Sequence, residues 1–167
     1  MKGRSKTSSS MQLTRAADYG VRVMMALAGM PPGERVSLQV LTRETGAPES
    51  FLSKVLQSLA QASLIASRRG QGGGFEIAPA GREASIRTIV EAVDGPIGLN
   101  VCLCEGKECQ RKVWCPAHPV WAEAQRAMFS VLERTRMQDL AEMGATNQFT
   151  IVAAACLQSA GPVTANS

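Results

Sequence analysis

The sequence predicts a mostly helical protein with one small β-hairpin. Apolar residues recur at helical spacing in several consecutive segments, and a tight glycine-containing turn joins two of these segments. A glycine-rich stretch flanked by strand-forming residues follows them. A chain of 167 residues with 45% hydrophobic residues can bury one good core. We therefore expect one compact unit with tails.

Three helices are predicted in the first half of the chain. From Ala17, apolar residues follow a helical period until the stretch PPGE ends the pattern. Ser37 is the expected N-cap of a short second helix, which Gly46 ends. Pro48 suits the first turn of the third helix. The apolar face of that helix consists of Phe51, Leu52, Val55, Leu56 and Leu59.

A basic hairpin is predicted next, with strands at residues 64–67 and 75–77. The glycines at positions 70, 72, 73 and 74 are expected to supply the positive φ angles of its turn. Arg68 and Arg69 lie at the tip. Three helices followed by a basic hairpin are typical of a winged helix-turn-helix, in which the second helix of the pair enters the major groove of DNA. A hairpin whose arginines are merely solvated is the alternative interpretation.

The stretch CLCEGKECQRKVWCPAH, from Cys102 to His118, holds four of the five cysteines and the single histidine. Clustered cysteines in a reducing compartment bind metals or undergo redox chemistry more often than they form structural disulfides. Thiolates are the usual ligands of iron–sulfur clusters, and a flexible loop can place three of them around one cluster. A structural zinc site is the alternative, although the paired C-x-x-C spacing that favours zinc is missing. Unligated thiols are the third interpretation.

A long amphipathic helix is predicted after this loop. Thr135 and Gln138 then form a capping-box pattern that is expected to open another helix. The apolar stripe of the long helix consists of Val120, Trp121, Ala124, Ala127, Met128, Val131 and Leu132.

The composition narrows the classes of function. Eighteen Lys and Arg residues against fourteen Asp and Glu give a net charge of +4, which permits a nucleic-acid partner. The N-terminus does not read as a secretory signal, and no apolar run approaches the roughly 20 residues that cross a bilayer. We therefore expect a cytoplasmic protein without a membrane partner. An enzyme is disfavoured, because the chain has no paired nucleophile and base and no Walker-type loop.

Three stretches resemble one family of bacterial regulators. MQLTRAADYGVRVMMALA, SLIASRRGQGGGFEIAP and SIRTIVEAVDGPIGL are similar to the winged-helix regulators typified by IscR, NsrR and RirA, the Rrf-two family, over about residues 11–142. The resemblance implies a dimeric, DNA-binding transcription factor, usually a repressor. Many members carry an iron–sulfur cluster, of 4Fe-4S or 2Fe-2S type, that senses nitric oxide, redox state or iron and cluster status, and some carry none.

The same resemblance implies the DNA-contacting residues. Alignment with the family's reading helix places Ser50, Ser53 and Lys54 at the major groove. Arg69, beside Arg68 in the wing, is expected to enter the minor groove. Two copies in a dimer require double-stranded DNA with a pseudo-palindromic operator.

The ligand set implied by the resemblance combines two patterns. The spacing of Cys104, Cys109 and Cys115 is similar to that of NsrR-type proteins, and Cys102 is an alternate ligand with a longer, RirA-like spacing. Two candidates are open for the fourth ligand. His118 follows the IscR-like pattern, near the start of a helix that Pro116 is expected to open. Asp18 lies where NsrR-like proteins have an aspartate that reaches the cluster of the other subunit.

The predicted organisation has five parts. Residues 1–10 are a disordered tail and residues 11–95 form the winged helix-turn-helix domain. Residues 96–118 are the cysteine-rich cluster-binding loop. Residues 119–145 contain the long helix, which in the resembling family is the dimerisation helix. Residues 146–167 are a C-terminal tail without an assignment.

Overall fold

The computed structural model describes residues 13–70, 72–104 and 109–145. The helices are α1 (Arg15–Ala28), α2 (Leu38–Thr45), α3 (Glu49–Gln61), α4 (Pro79–Arg82), α5 (Ile86–Asp94) and α6 (His118–Arg134). A further helix, α7, covers residues 137–145. The strands are β1 (Ile65–Arg68) and β2 (Gly74–Ile77), and Val101–Leu103 form a 3-10 turn. This architecture confirms the mostly helical fold class with one hairpin. The predicted tails at 1–10 and 146–167 lie outside the described residues.

The ends of the first helices follow from local chemistry. Ser37 caps α2 through its side chain, and Gly46 ends that helix with a left-handed φ of 68°, as predicted. Helix α1 begins at Arg15, earlier than the predicted Ala17, because the Thr14 hydroxyl caps it. Pro48 is the N-cap of α3 instead of lying in its first turn.

The core lies between α1, α3 and α5. Helices α1 and α5 approach closely at Gly20, where a Cβ would stand 3.0 Å from Cγ2 of Val93. Met137 enters the same core from α7, and its N–H donates to the carbonyl of Ala84 over 3.0 Å. The largest fully buried side chains are Met24, Leu27, Leu41, Leu52, Leu56, Leu59, Ile89 and Met137. The chain thus returns to the winged domain after the long helix.

The wing is a two-stranded antiparallel hairpin, each strand shifted slightly from its predicted bounds. Ile65 pairs with Ile77, and the register continues to Arg68 opposite Gly74. An isolated bridge joins Val36 to β2. The hairpin is therefore attached to the segment that precedes α2.

Not every wing glycine has the predicted positive φ. Gly70, Gly72 and Gly74 do, but Gly73 does not. A side chain at Gly73 would instead collide with the backbone carbonyls of Arg68 and Gly70. Glycine is needed at position 73 because the turn closes tightly over it.

Helix α6 begins two residues after Pro116, at His118, with Pro119 in its first turn. Pro116 therefore does not open the helix as predicted. The helix ends at Arg134, and the Arg136 N–H donates to the carboxylate of Asp139 over 3.1 Å. This contact, rather than the predicted pair of Thr135 and Gln138, precedes α7. In the part of the chain that the structure describes, no helix is long and apolar enough to span a bilayer.

Candidate functional site

One face of α3 is polar and exposed. Ser50, Ser53 and Lys54, the residues expected at the major groove, all lie on it, while the opposite face is buried in the core. The Ser53 hydroxyl donates to the carbonyl of Glu49 over 2.9 Å. Within residues 13–70, 72–104 and 109–145, Lys54 has no carboxylate partner. Its ammonium group is therefore available to an anion.

Two further residues extend this face. Gln57 and Gln61 are exposed on α3 and lie on the same side as Ser50 and Lys54, because residues three and four apart are neighbours on a helix. An amide offers one donor group and one acceptor to a base edge. The sequence reasoning missed both glutamines, although their spacing from Lys54 is a detectable signal.

The wing presents an uncompensated positive charge. Arg68 and Arg69 are exposed at the end of β1, and neither has an ion-pair partner among the described residues. Arg35, by contrast, pairs with Glu76 of β2 over 3.4 Å. The tip can therefore offer two free guanidinium groups to phosphates or to a narrow minor groove.

The cysteine-rich loop is attached at its start to two helices. The Leu99 N–H donates to Oε1 of Gln125 on α6 over 2.9 Å. The Ile97 N–H donates to Oε1 of Glu91 on α5 over 3.4 Å. The beginning of the loop thus joins the winged domain to the long helix.

Backbone turns position the predicted ligands. The Lys112 N–H donates to the Cys109 carbonyl over 3.0 Å, and the His118 N–H donates to the Cys115 carbonyl over 3.1 Å. The Cys104 thiol donates to the Asn100 carbonyl over 3.5 Å. Cys102, Cys104, Cys109 and Cys115 are all half-buried free thiols.

His118 contacts Cys102, the residue expected from the sequence as an alternate cluster ligand. Its Nδ1 lies 3.5 Å from Sγ of Cys102. Asp18, the other candidate fourth ligand, pairs with Arg22 of its own helix over 3.0 Å. Among the described residues, no three Cys, His, Asp or Glu side chains are gathered as a metal site. The structure thus brings Cys102 and His118 together, but not the three predicted thiol ligands.

The chemistry of this donor set nevertheless fits a soft metal. Four unpaired thiols and one imidazole lie on a single short loop, and thiolates with imidazole are the ligands that iron–sulfur clusters and zinc take. Gly98 leaves space for the Cys104 sulfur, which a side chain at that position would fill. The residues present therefore fit either group.

A charged clamp joins α5 to α6. The Arg87 guanidinium lies 3.7 Å from the centre of the Phe129 ring and pairs with Glu91 over 3.1 Å and with Glu133. Burial acts to lower the pKa of Arg87, but hydrogen bonds to Glu133 and Glu91 outweigh it and raise that pKa above its ordinary value. Because Glu91 also accepts the Ile97 N–H, the clamp reaches the start of the cysteine-rich loop.

Comparisons with known proteins agree on one class. The model of the Rrf2 family, described as iron-dependent transcriptional regulator, matches residues 13–143. The chain is 33% identical to the HTH-type transcriptional regulator Rv1287 of Mycobacterium tuberculosis, covering 78% of this chain and 81% of that protein. It is 28% identical to IscR of Vibrio campbellii, covering 78% and 77%. The oxidized form of CymR from Staphylococcus aureus superposes with a TM-score of 0.62 at 25% identity, covering 79% and 97%.

Proposed function

The chain belongs to the Rrf2 family of transcriptional regulators, and from this premise we propose that it is a homodimeric repressor controlled by an iron–sulfur cluster. The family and the relatives are regulators and not enzymes, which agrees with the expectation from the sequence.

One observation carries the proposal. The loop with four free thiols is hydrogen-bonded to α5 through Glu91 and to α6 through Gln125. Helix α5 packs against α1 and α3, and α3 carries the exposed polar face. A change in the loop therefore has a short physical route to the DNA-reading helix.

The DNA contacts are assigned to the exposed polar face of α3 and to the wing. Ser50, Ser53 and Lys54 contact the major groove, and Arg69 enters the minor groove beside Arg68. The exposure of all five residues supports this assignment. Contacts to bases specify sequence, and contacts to phosphates position the protein.

A second copy of the chain covers the apolar stripe of α6. Val120 is 64% exposed and Val131 is 49% exposed, and α6 has no fully buried residue. An apolar stripe of this length on a surface helix is stabilised when another helix packs on it. The dimer follows from this exposure together with the family.

Cys104, Cys109 and Cys115 would hold the cluster, with His118 or Asp18 as the fourth ligand. When bound, the cluster supplies a redox-active and chemically labile group. The protein side chains would bind and orient it. We propose that the cluster-bound protein binds the operator more tightly than the cluster-free protein. The two forms must differ in DNA affinity, because a ligand shifts an equilibrium only through differential binding. Nitric oxide, oxidation or iron shortage would then remove the cluster and release the protein from its operator.

Anaerobic purification tests the cluster directly. The purified protein should show visible absorption together with bound iron and sulfide. Cys109→Ala should abolish the absorption, whereas Cys102→Ala should leave most of it. A colourless protein that contains zinc would contradict the cluster and leave a zinc-stabilised, DNA-binding regulator. Circular dichroism of both variants establishes that they are folded.

A further inference from the structure

We propose that Cys102 is a positioning residue for His118: its sulfur accepts the Nδ1–H of the imidazole and leaves Nε2 to bind iron. The inference deepens the proposed function and rests on it. Its basis is the 3.5 Å separation between Nδ1 of His118 and Sγ of Cys102. It also chooses between the two candidate fourth ligands.

The backbone holds Cys102 in place. Cys102 lies in the 3-10 turn Val101–Leu103, where Asn100 accepts the Val101 N–H through its side chain over 2.7 Å. The Leu103 N–H closes the turn onto the Asn100 carbonyl over 2.9 Å. This turn packs against α6. The sulfur of Cys102 is therefore directed to the first turn of α6 by the local backbone.

The backbone also holds His118. Its N–H donates to the Cys115 carbonyl over 3.1 Å, and it is the first residue of α6. Cys115 is one of the proposed cluster ligands, so this bond keeps His118 close to that ligand. Backbone hydrogen bonds thus fix the main chain of both residues that form the Cys102–His118 contact.

The chemistry of imidazole assigns the two nitrogens. A neutral imidazole has one N–H donor and one acceptor nitrogen, and the hydrogen bond at one nitrogen decides which of them binds a metal. Nδ1 faces Cys102, whereas Nε2 makes no hydrogen bond within the part of the chain that the structure describes. Metal-binding histidines commonly donate their other N–H to an outer partner, such as a carboxylate, a backbone carbonyl or water, and we assign that place to the sulfur of Cys102.

The assignment explains why the chain has a fourth cysteine in the loop. Cys104 packs against Gly98 and donates to the Asn100 carbonyl, whereas Cys102 contacts His118. The two cysteines thus have different neighbours and different roles. Asp18 lies on α1, where it pairs with Arg22. His118, by contrast, is held beside Cys102 at the end of the loop, which favours His118 as the fourth ligand.

Spectroscopy of the cluster-bound full-length protein tests the inference. His118 is the only histidine of the chain, so protein labelled with ¹⁵N-histidine reports on this residue alone in pulsed EPR of the reduced cluster. The wild-type protein should show ¹⁵N coupling to the cluster. His118→Ala should remove the coupling and retain a three-thiolate chromophore that is less stable.

Four variants separate positioning from ligation. Cys102→Ala should keep the chromophore but lose it to a chelator about tenfold faster, the lower end of the effect of removing an outer partner of a metal ligand. Cys102→Ser, which keeps an acceptor, should recover part of the difference. Adding Cys102→Ala to His118→Ala should accelerate the loss no further, because the cysteine acts only through the imidazole.

Several results would overturn the inference. Bleaching by Cys102→Ala and by Cys102→Ser would make Cys102 a ligand. Wild-type rates and coupling in Cys102→Ala, or additive effects in the double variant, would leave it without a positioning role. These results are informative only if the wild-type protein binds its cluster normally, and they would overturn the role of Cys102 without affecting the proposed function. A wild-type protein without a chromophore would overturn the proposed cluster, and the inference with it.

Discussion

The thiol of Cys104 lies beside Gly98, in the space that a side chain at position 98 would occupy. Gly98 lies between Ile97 and Leu99, whose N–H groups donate to Glu91 on α5 and to Gln125 on α6. The backbone that holds the loop to both helices thus also shapes the place of one proposed cluster ligand. The start of the loop, residues 97–104, and its supports on the two helices are therefore connected.

Replacing Gly98 with alanine should displace the Cys104 sulfur. The backbone at position 98 does not have a positive φ, so alanine is tolerated there and its methyl group acts only by contact with the thiol. The variant should lose its cluster to a chelator about tenfold faster than wild type, as expected when ligand geometry is disturbed. Gly144→Ala is the control, because its added Cβ meets nothing within 4 Å. Equal rates for all three proteins would remove Cys104 from the ligand set.

Arg69→Ala should weaken operator binding by about 1–3 kcal/mol if its minor-groove contact is specific. The guanidinium is exposed and has no ion-pair partner among residues 13–70, 72–104 and 109–145. A gel-shift titration at one salt concentration measures the loss. Arg126→Ala removes an exposed charge from α6 and should leave affinity nearly unchanged. If both variants lose affinity equally, net charge and not the wing explains the binding.

Val131→Glu should convert the proposed dimer to a monomer. Val131 is 49% exposed on the apolar stripe of α6, and a buried, unpaired carboxylate in a dimer interface is costly. Ser130→Glu places the same charge on the neighbouring exposed position, outside the stripe. Sedimentation analysis should show monomers for the first variant and dimers for the second. Dimers in both would show that α6 does not form the interface.

Arg87→Met should destabilise the joint between α5 and α6. The substitution keeps an aliphatic stem but removes the charge over Phe129 and both ion pairs with glutamate. Since the side chains of Arg87 and Glu91 are 28% and 30% exposed, we expect a cost of only about 1–2 kcal/mol.

Thermal unfolding checks this value, which corresponds to a melting temperature lower by about 3–8 °C. Arg43→Met is the control, because its contact with Glu44 is 4.0 Å long and its side chain is 77% exposed. That variant should change stability by less than about 0.5 kcal/mol. Equal melting temperatures for the two variants would mean that the clamp does not stabilise the fold.

The fold was predictable where short-range chemistry determines it. Ser37 and Gly46 bound α2 because an N-cap hydroxyl and a left-handed glycine act within one helical turn. The return of Met137 to the core was not predictable in the same way. It depends on the Ser85–Arg136 bridge between segments that are distant in the sequence.

The residues of the candidate site could be predicted from the sequence, but the contacts between their side chains could not. The stretch from Cys102 to His118 indicates metal or redox chemistry because soft ligands are concentrated in it. Spacing alone left Cys102 and Cys104 as competing ligands. Their different neighbours, His118 and Gly98, follow from a 3-10 turn and from the packing of the loop on α6, which no residue spacing reveals.

The central claim is that the cluster controls DNA binding. Anaerobic titration of one operator DNA with cluster-bound and cluster-free dimer, at a single salt concentration, tests it most directly. The cluster-bound form should bind about five- to 150-fold more tightly, the usual range of a coupling free energy between two sites. Equal affinities would contradict the account, because the cluster would then be structural even if every ligand assignment were correct.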